Sequence, residues 1–192
     1  MLNIKKYKNE ALNIIQEKCF MSNCKPDYKL AKSEALNVLY QMGYDKPPVN
    51  PMQVAERLGF KVKGAMLRDD VSGMYNYKEK TIYYNHKDTQ TRQFFTVAHE
   101  LGHILLHQEY ASSKEYKVLL HSPRKEDGYE LKYELEANAF ATNLMMPQFM
   151  LDKLNFIGSK ERLARIFCVS LKAIKNRASF FSRFTNKYEQ WY

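Results

Sequence analysis

The 192-residue chain is poor in cysteine, glycine and proline, with three, seven and six of each. Cys19, Cys24 and Cys168 are an odd set without a C-x-x-C pair. That excludes a disulfide framework and points to a reducing compartment. No second pair answers Cys19 and Cys24, so they read as buried or idle thiols. Internal repeats, low-complexity tracts and long Gly/Ser linkers are absent. The length therefore suits one catalytic-size domain with at most a small appendage. Long apolar runs are missing too. The longest uncharged stretch, Ala137 to Leu151, is too short for a bilayer and contains two Asn and a Pro. Lys5, Lys6 and Lys8 resemble the start of a signal peptide, but Glu10, Glu17 and Lys18 break the apolar run that would follow. The expectation is a soluble, cytoplasmic protein.

What is present is globular in character. Apolar residues make up 45%, charged residues 27% and aromatics 14%, enough to bury a core and to exclude intrinsic disorder. The net charge of +9 is unevenly spread. Residues 153–192 hold nine Lys and Arg against two Asp and Glu, so +7 of the total lies in the last forty residues. A basic end of this kind suits nucleic acid, an acidic protein, or simply solvent.

Periodicity predicts helices over 3–18 and 30–42, then a short helix over 51–58 opened by Pro51 and closed by Gly59. Strands are predicted at 60–63 and within 71–85, the latter a hairpin about Lys78-Glu79-Lys80. A helix from Thr91 to about His107 follows, with Phe94, Phe95, Ala98, Leu101 and Leu105 at core-facing spacing. Residues 108–129 read as irregular. A second strong helix runs from Tyr129 to Leu144, and two short helices fall within 159–182, the second capped by Ser170.

His99-Glu100-Leu101-Gly102-His103 is an HExxH motif inside the first of the two strong helices. Residues four apart share a helix face, so both imidazoles can reach one ion. Glu100 lies one step round, beside the ion rather than on it, where a carboxylate can take a proton from an activated water. Gly102 offers room for a close neighbour. A catalytic zinc site needs a third protein ligand. His107 is a full turn too far along the axis and reads as a core or supporting residue. On the second helix Glu134 is the better candidate and Glu136 the other; about 200° of helix rotation separates them, so both cannot serve. Asn138, four residues after Glu134, shares its face and would hydrogen-bond a ligand.

RQFFTVAHELGHILLH (92–107) followed by ELEANAFATNLMMP (134–147) resembles the ImmA/IrrE family of zinc metallopeptidases. PMQVAERLGFKVKG (51–64) and LARIFCVSLKAIKNR (163–177) resemble that family's first helix and strand and its C-terminal helical segment. The resemblance covers roughly residues 45–180. It implies an α+β, zincin-like (gluzincin-like) fold, a small twisted sheet beside the HExxH helix. It leaves the first forty-odd residues unaccounted for, and the expected organisation is a helical extension (1–44), a metallopeptidase core (45–152) and a basic helical segment (153–192). It implies Zn²⁺ held by His99, His103 and Glu134, with Glu100 as general base. The partner it implies is a helix-turn-helix repressor, cut or inactivated, of a mobile element or a stress response. Some members are proposed to act without proteolysis, and the alternative reading is a non-proteolytic regulatory or toxin–antitoxin binding module that contacts a repressor partner or DNA.

Three further expectations concern substrate and partners. His121, Tyr129 and Tyr133 are candidates for stabilising an oxyanion. An exposed edge at 81–85 would pair with an extended substrate by strand addition. LARIFCVSLKAIKNR has the outline of a DNA-binding helix-turn-helix, with Cys168 where the tight-turn Gly stands. Packing on the core or repressor docking is the preferred reading of that segment, with DNA contact as the alternative.

Overall fold

A computed structural model describes residues 25–112, 128–154 and 157–177, and side chains in the second stretch from residue 131. The predicted helix at 3–18 lies outside the described residues. Helix α1, Tyr28–Met42, begins where Asp27 accepts the Leu30 N–H (2.9 Å) and turns Ala31, Ala35, Val38 and Leu39 inward. Helix α2, Pro51–Arg57, is capped by Asn50, whose side-chain oxygen accepts the Met52 and Gln53 N–H groups. Pro51 costs this helix nothing at its first position, because that N–H has no intrahelical partner.

Three strands form one small mixed sheet: β1 (Lys61–Ala65), β2 (Gly73–Asn76) and β3 (Thr81–Asn85), in the order β1-β3-β2. β2 and β3 are the expected hairpin, paired antiparallel with Tyr75 opposite Ile82. β1 pairs parallel to β3, Lys61 opposite Thr81. This order corrects the expectation of a free edge at 81–85. β3 is hydrogen-bonded on both sides, so it has no ladder groups left for a substrate strand.

Helix α3, Gln90–Leu106, carries the HExxH motif and packs on β2 and β3. A Cβ at Gly73 would collide with the Thr96 side chain and lie 2.9 Å from the Tyr83 carbonyl oxygen, so glycine lets α3 approach the sheet closely. Residues 108–112 form the short helix α4 rather than continuing as irregular chain. Helix α5, Gly128–Met145, crosses α3 at Gly102. A Cβ there would stand 2.9 Å from Ala137 Cα and 3.1 Å from its carbonyl oxygen. The two long helices thus meet backbone to backbone. Buried Leu101, Phe140, Ala141 and Leu144 fill one continuous core with the inner face of α1.

Helix α6, Gln148–Asp152, follows Pro147. Helix α7, Lys160–Phe167, and a helical stretch over 171–177 close the described chain, adding Ala164, Phe167, Val169 and Ile174 to the core. None of the described helices is long and apolar enough to cross a membrane.

Candidate metal centre

The α3–α5 crossing brings His99, His103 and Glu134 together, one ligand atom from each lying within 4.8 Å of the others. His99 and His103 stand one turn apart on α3, with their Nε2 atoms 3.0 Å apart. Glu134 reaches across from α5, with Oε2 3.5 Å from His99 Nε2 and Oε1 3.2 Å from His103 Nε2. Bonds of 2.0–2.1 Å to a tetrahedral Zn²⁺ place neighbouring donors about 3.3 Å apart. The three separations bracket that edge length.

The hydrogen bonding favours a cation at this point. Asn138 Oδ1, a pure acceptor, faces His99 Nδ1 at 3.1 Å, so Nδ1 carries the proton and Nε2 keeps a lone pair. That lone pair points at a carboxylate and a second imidazole. A cation between them turns this convergence of acceptors into coordination. The electrostatics agree. Burial holds His103 down at about 4, helped by His99 and His107 and opposed by Glu134, so the ring is neutral. For Glu134 burial pushes upward, but the two imidazoles His103 and His99 outweigh it and keep the group a carboxylate. For His99 burial pushes downward, and Glu134, Glu100 and Asn138 outweigh it, raising the pKa. In chemistry and spacing the donor set fits a zinc ion.

Glu100 is buried on α3 beside His99 and contributes its charge to that ring. His107 is not among the three clustered donors. Its Nε2 donates to Glu136 Oε2 (2.7 Å), and its ring rests 4.4 Å from that of Tyr133. Glu136, buried, also accepts the Asp27 N–H (2.6 Å) through Oε1, with Lys132 Nζ 3.9 Å away. One carboxylate therefore ties α3, α5 and the cap of α1 together, one turn from the metal-type cluster. Sequence reasoning placed Glu136 on the opposite side from Glu134 but missed this latch. The only sequence signal was His107, a histidine just past the motif helix that the metal set left without a role. Among the oxyanion candidates, Tyr133 packs on His107 and Tyr110 (4.4 and 4.7 Å), while His121 and the Tyr129 side chain lie outside the described residues.

A small mixed sheet carries a helix with two histidines, answered by a glutamate from a crossing helix, an arrangement that could hold one metal ion. The family model for the IrrE N-terminal-like domain, peptidase M78, matches residues 55–179, and the chain belongs to that family. It is similar to "Uncharacterized immunity region protein 2" of Bacillus phage phi105, 30% identical over 106 residues, which cover 54% of this chain and 63% of that protein. The match thus spans less than two thirds of that relative. A solved structure described as a Mycobacterium tuberculosis transcriptional regulator shares the fold at TM-score 0.59 and 18% identity, over 78% of this chain and 46% of that one.

Proposed function

We propose that the chain is a zinc-dependent endopeptidase of zincin-like fold that acts in the cytoplasm. Its substrate would be a helix-turn-helix repressor of a phage, a mobile element or a stress response. The observation that carries this reading is the convergence of His99, His103 and Glu134 at tetrahedral spacing with Glu100 beside them. A metal scaffold alone has no use for Glu100. The phage immunity-region relative supports a repressor as the partner. Residues 45–152 would form the catalytic core, with 1–44 and 153–192 as its helical extensions.

His99, His103 and Glu134 would hold the ion, and Asn138 would fix the His99 ring through the Nδ1–H bond. Zinc, when bound, supplies a Lewis acid and lowers the pKa of water toward about 7. Glu100 takes a proton from the attacking water as its oxygen bonds to the scissile carbonyl carbon. It then delivers that proton to the departing nitrogen as the C–N bond breaks.

The test is a substrate trap. Tagged Glu100→Gln protein is expressed in the native host, its co-purifying partner is identified, and that partner is incubated with wild type. The expected result is a repressor-type protein cut once by wild type and spared by the variant or by a chelator. A stable partner that zinc-loaded wild type never cuts would replace this reading with a non-proteolytic binding module.

A further inference from the structure

Residues 159–177 fold as two helices joined by a three-residue turn: α7, then Cys168-Val169-Ser170, then helix 171–177. Ser159 accepts the Arg162 N–H (3.2 Å) to cap the first helix, and Ser170 accepts the Ala173 N–H (3.1 Å) to cap the second. Cys168 adopts the left-handed conformation (φ 54, ψ 44), and the turn closes with Val169 N–H on the Ala164 carbonyl at 3.0 Å. Ala164, Phe167, Val169 and Ile174 are buried in the core. That side of the motif is taken up by packing.

The outward side is different. Lys160, Arg162, Arg165, Lys172 and Lys175 are all exposed there, against one acid, Glu161. Arg162 and Arg165 share a helix face at three-residue spacing, as do Lys172 and Lys175. The Glu161 carboxylate is held below its ordinary range by its own backbone N–H and the Ser159 hydroxyl, and also by Lys175 and Lys160. A surface that merely faces solvent mixes both signs. A surface that docks a protein has an apolar or aromatic centre, and no large apolar side chain is exposed among the described residues of this segment. Exposed cations on both helices with neither feature suit a polyanion.

We propose that the outward face of this helix-turn-helix, through Arg162, Arg165, Lys172 and Lys175, binds the phosphate backbone of duplex DNA, with helix 171–177 directed at the major groove. This goes beyond the peptidase reading and does not depend on it, because none of the four residues belongs to the metal-type cluster.

The experiment measures anisotropy of a labelled mixed-sequence duplex against full-length, zinc-loaded protein over a range of salt. Each phosphate contact contributes about 0.9 to the slope of log affinity against log salt. Arg162→Ala/Arg165→Ala and Lys172→Ala/Lys175→Ala are each expected to lower that slope by about 2, and the quadruple variant by about 3–4. A charge-matched control, Lys29→Ala/Lys32→Ala/Lys61→Ala/Lys63→Ala, removes four exposed cations elsewhere and should change it by less than about 1. Circular dichroism and zinc content should be unaltered in every variant, since all the substituted side chains are exposed. Three results would each overturn the proposal: no duplex binding by wild type at low salt, the same loss in the control as in the quadruple variant, or an unchanged slope with loss of partner capture. The last would reassign the face to protein docking.

Discussion

Replacing Gly102 by alanine tests how closely metal geometry and helix packing are linked. The added Cβ would lie 2.9 Å from Ala137 Cα, 3.1 Å from its carbonyl oxygen and 3.3 Å from its Cβ. Ordinary contacts between such atoms are about 3.5–4.0 Å, so α3 and α5 must separate by roughly 0.5–1 Å. The obstacle is backbone in a packed core, which cannot swing aside. Overpacking of this kind costs about 1–3 kcal/mol, while alanine in place of glycine in a helix returns about 1 kcal/mol. The net expectation is a loss of about 0–2 kcal/mol in the metal-free protein, read by urea denaturation. The effect on metal should be larger relative to what the site tolerates. Gly102 lies between His99 and His103, and Ala137 between Glu134 and Asn138, so the same separation moves Glu134 away from both imidazoles. Metal–ligand distances hold within about 0.2 Å, so zinc affinity, measured by chelator competition, should fall at least about tenfold. A variant more stable than wild type by about 1 kcal/mol with unchanged zinc affinity would refute the argument.

Three further substitutions probe separate parts of the structure. Asn138→Ala removes the acceptor that fixes the His99 ring and should weaken zinc binding about 10–100-fold with little change in fold; competition titration and circular dichroism check both halves. Glu136→Ala leaves the His107 Nε2–H and the Asp27 N–H without their shared acceptor and should destabilise the chain by about 1–3 kcal/mol, with Glu136→Gln costing less; equal costs would argue against the latch. Cys168→Gly relieves a left-handed backbone position but removes a half-buried side chain packed on the core, so a denaturant titration should show a gain of no more than about 1 kcal/mol; a loss of stability would refute the strain.

The parts of the molecule legible in the sequence are those set by local periodicity. His99 and His103 share a face because they stand one turn apart, and Glu134 and Asn138 do so for the same reason; Gly102 signals a close approach because nothing else explains a glycine inside a strong helix. Capping was read at Ser170 from side-chain chemistry alone, whereas at the second helix Pro51 was read and its cap Asn50 was not. What was not readable depends on distant pairings. The strand order follows from β1 pairing with β3 across an intervening hairpin strand, and no local pattern reveals that β3 becomes the central strand. The Glu136 latch joins residues 27, 107 and 136, whose meeting depends on how three helices pack. The segment 163–177 showed its helix-turn-helix outline through Ala164, Val169 and Ile174, but the division into a packed side and a cationic side needed the burial of each residue.

The central claim is that His99, His103 and Glu134 form one zinc site with Glu100 beside it. Zinc titration of wild type, Glu100→Gln and Glu134→Ala under identical conditions tests it most directly. One tightly bound zinc per chain is expected in wild type and in Glu100→Gln, and an affinity at least about 100-fold weaker in Glu134→Ala, because two imidazoles alone make an incomplete site. Zinc bound as tightly by Glu134→Ala as by wild type, or no zinc bound by wild type, would contradict it.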